Sequence, residues 1–203
     1  MRHRRRPVSA TTVMLCGVGG QGTILAADVL AKVATAAGLE VKLSEVHGMA
    51  QRGGSVDTIV KFGEEVFSPV TDPGMVDHLV AFEVIEAARR IHYVKPEGRL
   101  LVNSRTILPL PVLTGALPRP VGLKAVLESE GAIFLDAEEL ACEAGSPKSA
   151  NVVLMGGLSE GLPFPKDVWL DVIAARVPPK TVEANLRAFE LGRTACAEGA
   201  CNL

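Results

Sequence analysis

The chain has 203 residues, 48% of them hydrophobic and 22% charged, with a formal net charge of −2. That length and balance suit one α/β unit large enough for its own core, and a mean hydropathy of +0.28 is apolar for a free monomer, pointing either to a partner surface or to a core rich in Ala, Val and Leu. No run approaches the roughly 18 apolar residues of a membrane span, and Thr11 to Cys16 is too short for a signal-peptide core, so a cytoplasmic location with no membrane partner is expected.

Arg2, Arg4, Arg5 and Arg6 place four positive charges in the first six residues, which leaves the remainder near −6. Residues 1–10 therefore read as a basic disordered tail, either a nucleic-acid arm or, as preferred here, a short solvated end with no nucleic acid expected. Residues 11–195 read as a single domain and 196–203 as a carboxyl-terminal tail. Thr12 to Cys16 has the continuous apolar character of a buried parallel strand. From Gln21 to Ala37 the residues Ile24, Leu25, Val29, Leu30 and Val33 recur at helical spacing, and Gly38 stops the helix. Glu40 to Val46 reads as a second strand, and Ser55 to Phe62 as a third of mixed character. Asp72-Pro-Gly74 is a turn. Val76 to Phe82 is a strand leading into a helix from Glu83 to Tyr93. Pro96-Glu-Gly98 reads as a turn before a strand from Arg99 to Asn103. Leu108 to Pro120 carries four prolines, which exclude regular helix and central strand; it reads as a surface loop or an arm laid on a partner. Ala132 to Leu135 is a short strand, and Asp136 caps a helix from Glu138 to Ala144. The last third is helical: Asn151 to Leu158, Lys166 to Ala175 after Pro165, and a final helix from near Pro179 with Val182, Leu186 and Phe189 on its apolar face and an i,i+4 pair of Glu183 with Arg187. Strands alternating with helices predict a three-layer α/β/α fold with a mostly parallel, Rossmann-like sheet and a helical carboxyl-terminal part.

Two loops carry the chemistry. Gly17, Gly19 and Gly22 have the G-x-G-x-x-G spacing between a strand and a helix, with Gly20 and Gln21 between them. Glycine is needed where the backbone turns sharply or where amides approach a phosphate, and the helix start adds partial positive charge. The alternative is that these glycines only let strand and helix pack closely. Glu45, at the end of the second strand, stands where a dinucleotide fold places an acid on a ribose. The second loop runs from His47 to Gly54. His47 is a candidate acid–base group or a hydrogen-bonded structural histidine. Arg52 has a forked donor suited to carboxylate or phosphate, with Gly53 and Gly54 exposing amides beside it. A lone Arg-Gly-Gly between strands is unlike the repetitive RNA-binding kind.

No Cys-x2-Cys is present among Cys16, Cys142, Cys196 and Cys201, so no zinc finger or ferredoxin-type run is encoded. Cys196 and Cys201 read as incidental thiols of a frayed end rather than a redox or metal pair. A Walker loop, paired zinc histidines and a thiamine-type Gly-Asp-Gly are all lacking, which argues against a self-contained kinase or metal-dependent hydrolase.

Taken together, Gly17-Val-Gly-Gly-Gln-Gly22, Glu45 to Val56, Phe67-Ser-Pro69, Leu101-Val-Asn103, Asn151, and Lys180 with Glu183-Ala-Asn185, Ala188-Phe189 and Gly192 resemble the gamma-type domain of 2-oxoacid:ferredoxin oxidoreductases. The resemblance spans about Thr11 to Arg193, and the His-Gly-Met-Ala-Gln element before Arg-Gly-Gly resembles the indolepyruvate branch. It implies a subunit inactive alone, whose large partner carries thiamine diphosphate, Mg2+ and [4Fe-4S] clusters, uses coenzyme A and passes electrons to ferredoxin, converting a 2-oxoacid to acyl-CoA. No metal is expected on this chain. Gly17, Gly19, Gly20, Gln21, Gly22, Arg52, Gly53 and Gly54, with His47, would form a phosphate, coenzyme A or partner-facing surface. Subunits for pyruvate, 2-oxoglutarate or 2-oxoisovalerate, and a free-standing Rossmann-type NAD or FAD oxidoreductase resting on Gly17, Gly19, Gly22 and Glu45, are the alternative readings.

Overall fold

The computed structural model describes residues 10–48 and 54–197. Six strands form one sheet: Thr11–Val18 (β1), Glu40–His47 (β2), Ser55–Gly63 (β3), Val76–Ala81 (β4), Val94–Asn103 (β5) and Ile133–Leu135 (β6). The spatial order is β2-β3-β1-β4-β5-β6. β3 runs antiparallel to both β1 and β2, and the pairs β1–β4, β4–β5 and β5–β6 are parallel. The other five strands therefore share one direction. Their carboxyl ends gather on one edge, joined there by the start of β3.

Alternate side chains of each strand enter opposite cores, as the two-residue period requires. Val13 and Leu15 of β1, Val60 and Phe62 of β3, Val80 of β4 and Leu101 of β5 face one core. It is covered by Thr23–Ala36 (α1), Ala137–Glu143 (α5), Ala150–Ser159 (α6), Lys166–Arg176 (α7) and Val182–Ala195 (α8). Met14, Cys16, Leu79, Ala81, Leu100 and Val102 face the second core, closed by Val84–Arg90 (α2) and Leu123–Ser129 (α4). The layers are those expected, with the helical mass concentrated on the α1 side. An aromatic chain runs through that side: Phe62 to Phe164 at 5.3 Å, Phe164 to Trp169 at 6.3 Å and Trp169 to Phe189 at 5.8 Å between ring centroids.

Four expectations need correction. Pro96-Glu-Gly98 is not a turn before β5 but a bulge within it. The pairing passes from Val76↔Val94 to His78↔Arg99, so the extra residues loop out of the ladder; proline is tolerated at such a bulge. Pro109 and Pro111 do not bar helix entirely, because they occupy the N-cap and first turn of a single-turn helix, Leu110–Leu113 (α3). Helix α4 was not anticipated; left-handed Gly122 starts it and Gly131 follows it. Glu183 and Arg187 make no ion pair in α8, since Arg187 reaches the Glu143 carbonyl of α5 instead, at 3.4 Å.

Candidate functional site

The shared edge is tied together by backbone and amide hydrogen bonds. Gly19 N–H donates to the Gly54 carbonyl at 2.9 Å and Phe82 N–H to the Cys16 carbonyl at 2.8 Å. The glycines of the first loop divide the work. Gly17 lies within β1, where a Cβ would come within 2.8 Å of Phe82 Cβ, so it serves close packing. Gly20 and Gly22 have φ of +101° and +81°, values that L side chains rarely adopt, and so they make the turn. Gly22 is also the N-cap of α1, whose first turn has no acidic residue and no side-chain cap. Gln21 is spent on structure: its Oε1 accepts from Val18 N–H at 2.7 Å and its Nε2 donates to the Phe82 carbonyl at 2.9 Å. Asn103, at the end of β5, donates to the same carbonyl at 3.1 Å and accepts from Ala137 N–H at 3.2 Å. One carbonyl at the end of β4 thus gathers amides from the ends of β1 and β5.

Two cavities flank the Gly19–Gly20 ridge. The first, of about 380 Å3, is walled by Gly22, Thr23, Ile24, Glu45, His47 and Val56. Glu45 and His47 are two residues apart on one face of β2, which brings His47 Nδ1 to 3.2 Å from Glu45 Oε1. The second, of about 470 Å3, sits over the ends of β1, β4 and β5 and is lined by Gln21, Asn103, Arg105, Glu138, Lys148 and Asn151 among others. There α1 leaves toward one face and α2 toward the other, the switch point where ligands of open α/β sheets lie. Arg105 Nη1 donates to Glu138 Oε1 at 3.1 Å, and Lys148 has no ion pair among the described residues. The ridge therefore separates a wall bearing Glu45 and His47 from one bearing Lys148 and the Arg105–Glu138 pair.

Buried groups brace the edge from behind. Glu83 is 1% exposed and caps α2 by accepting from Ile85 N–H at 2.9 Å and from Glu86 N–H. Burial raises its pKa above the ordinary carboxylate value despite these amides. Ser55 donates to Glu86 at 2.5 Å, and Arg90 Nε donates to Asp57 at 2.7 Å. These bonds pin the start of β3, and with it Gly54, to α2. Burial and the nearby Asp57 and Glu86 push the Cys16 thiol well above its usual pKa, which makes it inert.

The structure brings Gly17, Gly19, Gly20, Gln21, Gly22, His47 and Gly54 to one edge. Arg52 and Gly53 lie outside the described residues, as do Arg2, Arg4, Arg5, Arg6 and Cys201. Gly48 N–H donates to the Ser55 carbonyl at 3.1 Å, so both flanks of residues 49–53 belong to the site. Cys196 is no incidental thiol of a frayed end: it is 3% exposed and disulfide-bonded. Arg105, Glu138 and Lys148 escaped the sequence reading, although an Arg just beyond a predicted strand and a Glu after a helix cap were visible signals. Among the described residues no group of three or more His, Cys, Asp or Glu could hold a metal ion, and no helix is long and apolar enough to cross a membrane.

Residues 12–195 match the family model of pyruvate ferredoxin/flavodoxin oxidoreductase. The indolepyruvate oxidoreductase subunit IorB of Thermococcus kodakarensis is 43% identical over 193 residues, covering 92% of this chain and 96% of that protein. The 2-oxoglutarate synthase subunit KorC of Methanothermobacter thermautotrophicus is 29% identical over 191 residues, covering 92% of this chain and 95% of that protein. A solved gamma subunit of a keto/oxoacid ferredoxin oxidoreductase from Geobacter sulfurreducens shares the fold with a TM-score of 0.69, at 24% identity, covering 93% of this chain and 99% of that one.

Proposed function

The chain belongs to the pyruvate ferredoxin/flavodoxin oxidoreductase family, and from that premise we propose that it is the small subunit of an indolepyruvate (aryl pyruvate) ferredoxin oxidoreductase. The reaction is oxidative decarboxylation of the 2-oxoacid to an acyl-CoA with reduction of ferredoxin. The observation that carries the substrate choice is the gap between 43% identity to an indolepyruvate subunit and 29% to a 2-oxoglutarate subunit, both over nearly the whole chain.

A large partner subunit holds thiamine diphosphate, Mg2+ and the [4Fe-4S] clusters, in keeping with the family to which the chain belongs. When bound there, thiamine supplies the carbanion chemistry at the 2-oxo carbon. This chain contributes its glycine edge, which covers the partner's site and binds a coenzyme A phosphate. Gly20 and the uncapped start of α1 offer amides to an anion, and Arg105 and Lys148 supply charge from the second cavity. Arg52, Gly53, Gly54 and His47 belong to the same surface. The exposed apolar side chain Ile24 at this edge, 58% accessible, and the exposed Leu110 and Leu113 of α3 suit a chain that works in a complex.

Reconstitution with the large subunit tests the reading. Ferredoxin reduction should be faster with indolepyruvate than with pyruvate or 2-oxoglutarate, and the chain alone should be inactive. Preference for another 2-oxoacid would transfer the assignment within the family. Arg52→Ala should lower turnover of the assembled complex about tenfold or more; normal turnover would remove Arg52 from the surface.

A further inference from the structure

The first cavity has a chemistry that phosphate binding at the ridge does not use. Its volume of about 380 Å3 is within the range of small-molecule sites. Ile24 and Val56 supply apolar wall, and Gly22 and the neighbouring glycine ridge leave backbone open to close approach by a flat group. Its ionisable wall is Glu45 with His47, at 3.2 Å from each other. Glu45 makes no other hydrogen bond or ion pair among the described residues. A carboxylate lining this wall repels phosphate and the carboxylate of an oxoacid and accepts from a donor, while the apolar Ile24 and Val56 beside it favour a neutral one.

We propose that this cavity binds a flat, neutral heteroaromatic ring bearing an N–H donor, with the ring against Ile24 and Val56 and its N–H read by Glu45 and His47. The inference rests on the reading of this edge as a working surface. Two sources present that chemistry: the indole of an aryl 2-oxoacid and the adenine of a nucleotide cofactor. In either case the anionic part of the ligand lies across the glycine ridge, toward Arg105 and Lys148.

The test is a titration of the full chain, followed by amide NMR, with indole, adenosine and 1-benzothiophene, the last matching indole in shape but lacking the N–H. The proposal expects shifts confined to the glycine loop, the end of β2 and Val56. It also expects indole or adenosine to bind at least tenfold more tightly than 1-benzothiophene, and Glu45→Leu to erase that preference. Response to indole alone assigns the cavity to the substrate side chain, to adenosine alone to a nucleotide, and to both to the ring class. No shift at these residues with either ring, or equal affinity for 1-benzothiophene, overturns it. Because no partner is needed, failure here leaves the subunit assignment standing, and failure of indolepyruvate turnover leaves the cavity result standing.

Discussion

Gln21 shows how much one side chain can decide at this site. Its amide satisfies a donor on β1 and an acceptor on β4, and no shorter side chain spans both. Gln21→Ala should destabilise the chain by about 1–3 kcal/mol, the cost of leaving partly buried partners unmet, seen as a lower denaturant midpoint. Thr58 gives the opposite sign. It is 1% exposed and its Oγ1 has no partner among the described residues, so Thr58→Val should be neutral or stabilising by about 1 kcal/mol. A clear loss of stability would mean that the hydroxyl is satisfied by bound solvent. His78 predicts a pH dependence. Burial and then the Arg99 guanidinium lower its pKa to about 4, against an ordinary value of 6.5. Below pH 6.5 the unfolded chain takes up a proton that the folded chain refuses. This contribution is therefore complete above pH 6.5 and declines toward pH 4, by roughly 3 kcal/mol at most. His78→Asn should flatten urea midpoints measured across that window.

Among the elements, α6 and α8 depend on having no side chains where they cross. A Cβ on Gly192 would run into the Val153 carbonyl, and one on Gly156 into the Phe189 carbonyl. Backbone cannot retreat as a flexible side chain can, so Gly192→Ala should cost about 3 kcal/mol or more through overpacking, measured as a fall in Tm. The same substitution at Gly38, where φ is +79° but nothing lies within 4 Å of a Cβ, strains only its own backbone and should cost about 1–2 kcal/mol. Helix α2 binds β3 through Arg90, Asp57, Glu86 and Ser55 rather than through apolar contact alone. Such ionic clusters contribute little to net stability, and here they hold the start of β3, next to Gly54, against α2.

Over the whole molecule, protection should follow strand position. β1 and β4 are paired on both sides and packed on both faces, whereas β2 and β6 have one neighbour each. Native-state hydrogen exchange should be slowest in β1 and β4 and fastest in β2 and β6; uniform protection would contradict this ordering. The apolar runs at Thr12 to Cys16 and Val76 to Phe82, the helical spacing after Gln21, and the glycines that break each element were legible from residue order alone. So was the Asp136 cap, whereas the pairing of Glu45 with His47 emerged only with a second strand that runs on to His47.

What the sequence determined by itself are these local elements and the family-bearing loops, since short-range sterics and burial periodicity set them within a few residues. Tertiary structure alone decided that β3 reverses and inserts between β1 and β2, that Pro96 to Gly98 bulge rather than turn, and that Arg105, Lys148 and Asn151 join the glycine loop. Asn151 donates to the Gly22 carbonyl at 3.3 Å across 129 residues. Such a contact depends on which faces bury together once every element competes for the same two cores, and local periodicity holds no record of that competition.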